Sequence, residues 1–86
     1  MYEVVFKKAF RKALRKTVRN NPELGRRIGK ALYLLNANVN HRSLKLHKLS
    51  GIDYWAVSVT DSYRIKIKIE DKYIFCVKFG THEEVY

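Results

Sequence analysis

The chain has 86 residues, 47% of them apolar, and its 18 Lys and Arg against 8 Asp and Glu give a formal charge of +10. A chain of this length buries roughly 60 to 65% of its unfolded surface and leaves no room for a second core, so residues 1–86 read as a single domain. The apolar share excludes a disordered polycation. The charge points to a polyanionic partner, nucleic acid first, approached under electrostatic steering.

No segment comes near the roughly 18 apolar residues of a membrane span, and Met1 to Phe6 lacks the apolar run of a signal peptide, so a soluble cytoplasmic protein without a membrane partner is expected. Cys76 is the one cysteine. An internal disulfide is therefore excluded, a reducing cytosol fits, and a cysteine-based metal site is not expected.

In chain order, Tyr2 to Phe6 is a short apolar run with β-branched residues, which predicts a first strand. Ala9, Phe10, Ala13, Leu14, Thr17 and Val18 then recur at spacings of three and four, predicting a helix with one buried stripe. Its other face carries Lys7, Lys8, Arg11, Lys12, Arg15, Lys16 and Arg19. Asn20 to Glu23 stops that helix and starts another, with Asn21 as N-cap, Pro22 at the first helical position and Glu23 at the positive end of the dipole.

The second helix buries Leu24, Ile28, Ala31, Leu32 and Leu35, while Gly25 and Gly29, four apart, would let another element approach closely. Asn36 to Ser43 reads as a loop, and Leu44 to Gly51 as a basic connection carrying Lys45, His47 and Lys48 into a turn. From Trp55 the period falls to two, with Trp55, Val57 and Val59 alternating against Ala56 and Ser58 before a turn at Thr60 to Ser62. Tyr63, Ile65, Ile67 and Ile69 share one face of the next strand and Arg64, Lys66 and Lys68 the other, and Asp71-Lys72 closes a tight hairpin into Tyr73 to Phe79. The expected architecture is a two-layer α+β domain: an N-terminal strand, a helical hairpin and an antiparallel β-meander, in the order βααβββ. The helices cover the apolar sheet face and the cationic face stays open.

That open face is suited to cutting RNA without a metal. The 2′-hydroxyl must lose a proton as it attacks the phosphate, the leaving 5′-oxygen must gain one, and charge on the phosphoryl oxygens needs fixed cations. Histidine, with an unperturbed pKa of about 6.5, serves the proton transfers. Arginine's planar fork serves the phosphate. The candidates are His47, Arg64, His82 and Tyr86, the last to stack on a base, orient the nucleotide or move a proton. Lys45, Lys48, Lys66 and Lys68, with Lys8, Arg11, Lys12 and Arg15 on the first helix, are candidates for RNA binding.

Plain alternatives stand beside these. His82 can simply hydrogen-bond a turn, His47 can be a solvated loop residue, Arg64 a solvated charge, and the helix cations a soluble surface. Tyr54, Trp55 and Tyr63 can stack on bases, but Trp55 and Tyr63 fall in the apolar alternation and read as core. His41 reads as surface. The three histidines lack the i, i+4 spacing of a helical zinc site, so neither metal nor other cofactor is expected.

Three segments together resemble the RelE/ParE superfamily of type II toxins, most closely the YafQ-like messenger-RNA interferases. They are Leu46-His47-Lys48-Leu49-Ser50-Gly51, Tyr63-Arg64-Ile65, and Gly80-Thr81-His82-Glu83-Glu84-Val85-Tyr86. The resemblance implies a ribosome-dependent endoribonuclease that enters the A site, cuts the messenger and is silenced by a cognate antitoxin. By that resemblance His47 matches the loop histidine, His82 the Gly-Thr-His histidine, Tyr86 the closing aromatic and Arg64 the strand arginine aimed at the phosphate. The chain departs where YafQ-like proteins have a further histidine on the second strand, a place held by Ser58, and the acid of the following turn corresponds approximately to Asp61. The division of acid and base roles is thereby left open, and Lys45 and Lys48 can take work that RelE gives to lysine. The alternative within the superfamily is a ParE-like toxin that inhibits DNA gyrase by binding. A degenerate toxin surviving as a nucleic-acid binding module is a third.

Overall fold

The β-branched and aromatic run at the N-terminus forms strand β1, Glu3–Phe6, and the apolar spacing that follows forms helices α1, Lys8–Asn20, and α2, Pro22–Ala37. The computed structural model describes residues 2–51 and 53–86. At the break between the helices the Asn21 side chain accepts the Leu24 N–H at 3.2 Å, with Pro22 in the first turn, as the sequence signals require. The helix pair closes tightly at Gly25, where a Cβ would sit 3.0 Å from Cγ2 and 3.1 Å from Cα of Val18. Gly29 has no such role: a Cβ there would meet nothing within 4 Å.

The segment expected to be a loop from Asn36 is shorter than that. The helix runs on to Ala37, Val39 is buried, and a 3-10 turn at Arg42–Leu44 buries Leu44. His41 caps that turn through Nδ1, which accepts the Ser43 N–H at 3.2 Å. Lys45 ends it with φ of 48°.

Four further strands follow: β2, His47–Lys48; β3, Trp55–Ser58; β4, Tyr63–Glu70; and β5, Tyr73–Thr81. They join β1 in one sheet of order β1-β5-β4-β3-β2, antiparallel except for β1 beside β5. The α+β architecture, the helical hairpin and the meander are those the periodicity predicts. Two short elements were not legible: β2, which pairs His47 with Ala56 and Lys48 with Trp55, and a last helix α3, His82–Val85.

The main core lies between the helices and one sheet face. Phe10, Ile28 and Leu35 meet Val57, Ile65, Ile67, Ile74 and Cys76, all buried. Full burial of each large side chain contributes about 1.5–3 kcal/mol. Burial also pushes the Cys76 thiol up to about 12, so it stays protonated within the core. Trp55, Tyr63 and Phe79 pack against the same cluster, with Tyr63 and Phe79 stacked at 5.3 Å. The other sheet face is not bare throughout. Leu49, Ala56 and Val85 form a second small core there, which seats α3 on the sheet. Among the described residues no helix is long and apolar enough to cross a membrane.

Candidate active site

Gly80 makes the site geometry feasible. It is buried on β5, opposite Arg64 on β4, and a Cβ there would meet Oε1 of Glu84 at 2.9 Å and its Cβ at 3.0 Å. With hydrogen in that place the chain turns back over the open face as α3. Thr81 caps it reciprocally: its Oγ1 accepts the Glu84 N–H at 3.4 Å, and the Glu84 carboxylate accepts the Thr81 N–H at 2.8 Å. Donation to the carboxylate by Thr81, from its backbone N–H first and its hydroxyl second, holds the Glu84 carboxyl below its ordinary 4.5, with Lys78 adding a weaker pull. Val85 drops into the second core, and His82 and Tyr86, four apart, face outward together.

The docked helix brings its aromatic pair to β2. Tyr86 hydroxyl is hydrogen-bonded to His47 Nε2, and the Tyr86 ring stands edge-on to His47 at 5.3 Å and to His82 at 3.9 Å between centroids. His47 Nδ1 lies 3.1 Å from the Lys45 carbonyl oxygen. A carbonyl only accepts, so the network assigns the ring proton to Nδ1 and leaves the Nε2 lone pair to accept the Tyr86 O–H. Tyr86 is 47% exposed, so this contact is open to a substrate.

Arg64 shares the open face but not the contact. Its Nη1 donates to the carbonyl oxygens of Thr60 (2.5 Å), Tyr63 (3.0 Å) and Asp61 (3.2 Å), folding the guanidinium onto the β3–β4 turn. Thr60 Oγ1 fixes that turn by accepting the N–H groups of Ser62 and Tyr63. Ser58 lies in the same cross-strand row as Arg64 and Gly80, and its hydroxyl donates to the Thr60 carbonyl at 3.4 Å. Asp61 contributes its carbonyl to Arg64. A groove lined by Arg27, Ser43, Lys45, Ser58, Thr60 and Asp61 runs past the turn, placing Lys45 beside it.

The remaining expected RNA-binding residues divide by face. Lys66 and Lys68 lie on the open face, their ammonium groups 4.7 and 5.9 Å from the Tyr54 ring. Lys48 leaves the sheet on the side opposite His47, 5.9 Å from the Trp55 ring, because successive side chains of a strand alternate. Lys8, Arg11, Lys12 and Arg15 are exposed on α1, across the sheet from the His47–Tyr86–His82 trio, and Arg11 donates to the Phe6 carbonyl at 3.2 Å. Among the described residues none of these four is in an ion pair. What the sequence did not reveal is the seat of α3. Its signals were Gly80 ahead of a Thr-x-x-Glu capping box and the small residue Ala56 on the polar side of an alternating strand.

This architecture is the fold of the RelE/ParE-like toxins. It is similar to the YoeB/ParE toxin from Agrobacterium tumefaciens, with a TM-score of 0.79, 14% identity and coverage of 95% of this chain and 99% of that one. The E. coli DinJ–YafQ complex matches at 0.79, with 19% identity and coverage of 100% and 99%. The YoeB–YefM complex from Staphylococcus aureus matches at 0.76, with 16% identity and coverage of 95% and 98%. No protein-family model and no curated protein sequence matches the chain.

Proposed function

We propose that the chain is the toxin of a type II toxin-antitoxin pair and acts in the cytoplasm as a metal-independent, ribosome-dependent messenger-RNA endoribonuclease. The observation that carries this reading is the joining of two imidazoles by one phenol at the mouth of an open, electropositive sheet face. His47 is the general base: its Nδ1 proton is engaged by the Lys45 carbonyl, so Nε2 is free to take the 2′-hydroxyl proton once substrate displaces the Tyr86 hydroxyl. O2′ attacks phosphorus, the P–O5′ bond breaks, and His82 gives its proton to O5′, leaving a 2′,3′-cyclic phosphate and a 5′-hydroxyl end.

Tyr86 holds the two rings in register and packs on the scissile nucleotide. Arg64 exchanges its three carbonyl acceptors for the phosphoryl oxygens, a charged acceptor that binds guanidinium more strongly. Lys45, Lys66 and Lys68 track the backbone on either side.

The solved complexes of similar fold pair YafQ with DinJ and YoeB with YefM. A cognate antitoxin for this chain is the corresponding proposal, acidic enough to oppose a charge of +10. The test is inducible expression with messenger ends mapped by primer extension, alongside a gyrase supercoiling assay. New ends within translated messages support the nuclease; inhibited supercoiling without new ends replaces it with the gyrase-binding alternative.

A further inference from the structure

Between the trio and the β1 edge, the open face carries side chains that the cleavage chemistry does not use. Tyr73 and Phe75 point there because Ile74 and Cys76 between them take the core side of β5, and Tyr54 points there ahead of the core-facing Trp55. Each ring has an ammonium beside it. Lys66 is 4.7 Å and Lys68 5.9 Å from the Tyr54 centroid, Lys7 is 5.0 Å from Phe75, and Lys72 is 5.7 Å from Tyr73. The Tyr73 and Phe75 rings lie 5.9 Å apart. Lys7, Tyr54, Lys68, Glu70, Phe75 and Val77 line one groove, and Tyr54 packs on the Leu49–Ala56–Val85 cluster that seats α3, so the groove begins where the trio ends.

Lysines over rings are common surface ornaments. Here, however, three partly exposed rings fall in one file with four lysines, and among the described residues Lys68 alone of these is ion-paired, to Glu70 at 3.5 Å. Alternating apolar ring faces and uncompensated cations complement a chain of alternating bases and phosphates. We propose that Tyr54, Phe75 and Tyr73 are a stacking shelf for unpaired bases of a single-stranded RNA, with Lys7, Lys66 and Lys68 on its phosphates. The shelf holds the stretch of message flanking the cut. It rests on the nuclease reading for which RNA is bound, and on the rings alone for how it is bound.

The test is fluorescence anisotropy with a labelled 2′-O-methyl RNA of about a dozen nucleotides, which cannot be cleaved, as a single strand and as a duplex. Tyr54→Ala and Phe75→Ala are each expected to weaken single-strand binding at least ~5-fold and to leave duplex binding unchanged. Tyr54→Phe, which keeps the ring, should bind as the parent does. Tyr54→Leu, which keeps apolar packing on the Leu49–Ala56–Val85 cluster but not the flat face, should lose binding with an unchanged circular dichroism spectrum and melting temperature. Single-strand affinity that ignores Tyr54→Ala, Phe75→Ala and Tyr54→Leu overturns the shelf, as does an equal loss on strand and duplex. Poly-L-glutamate showing the same dependence on Tyr54 and Phe75 would overturn it in favour of a protein partner. Because the probe is uncleavable, absent message cleavage with ring-dependent binding intact sinks the nuclease and spares the shelf, and the reverse result does the opposite.

Discussion

His47 and Tyr86 are 39 positions apart in sequence and share one hydrogen bond, and each depends on its local backbone for the ability to do so. The Lys45 carbonyl sets the tautomer of His47, and the one-turn spacing of α3 puts Tyr86 against His82. Removing either imidazole should therefore cost a proton transfer. His47→Ala and His82→Ala are each expected to slow the appearance of new messenger ends at least ~10-fold, since general acid-base groups contribute about 10² to 10⁴ in rate. Tyr86→Ala removes the ring that stands against both imidazoles and packs on the scissile nucleotide, and should slow cleavage, whereas Tyr86→Phe, which keeps the ring and loses only the hydroxyl that substrate displaces, should not. Parent rates in both histidine variants would remove the trio from catalysis. The residue types were readable in the sequence because each sits in a short motif. The orientation of Arg64 was not, because its acceptors are carbonyls exposed by a turn whose shape Thr60 decides.

At the scale of elements, the site depends on a helix of four residues, too short to persist without its cap and its seat. The cap is sensitive to acid. The folded-state carboxyl of Glu84 lies below its ordinary 4.5, so its contribution is complete above that value and is lost as pH falls through the lowered one. We expect the Thr81 amide proton, bonded to that carboxylate, to show a chemical-shift step below pH 4.5 in NMR, and Glu84→Ala to abolish the step. A titration flat through that range in the parent would show that the capping box does not hold α3. Longer elements were legible from period alone: the span of α1, the cap of α2 and the alternation of β4 appear where expected, but the α1 stripe is narrower than its period implies, with Phe10 buried, Ala13, Leu14 and Thr17 half-buried, and Ala9 and Val18 exposed. Elements of two to four residues were not, because β2 exists through its pairing with β3, and α3 through contacts with Gly80 and Ala56.

The whole molecule presents cations on both sides of its sheet, on α1 and on the open face, with a net charge of +10. Binding to single-stranded RNA should release about 0.7 counterions per phosphate contacted, so a footprint of about five phosphates loses roughly two decades of affinity between 50 and 200 mM salt. Filter binding across that range checks it. A flat response would take the lysines out of the interface. Charge reversal on α1, as Arg15→Glu, should leave the trio's geometry untouched, since the sheet and main core separate the two surfaces.

By itself the sequence determined what composition and period control: one apolar and one cationic sheet face, two amphipathic helices, a net charge of +10, and which imidazoles were available. The tertiary structure decided where those groups point. Side-chain direction in β2 follows from its pairing with β3, the fold-back of the tail from the packing of Val85 on Leu49 and Ala56, and the capture of Arg64 from the carbonyls that its own turn exposes. A periodic pattern reports which face is buried; it carries no information about which strand edge or chain end will come to lie against it.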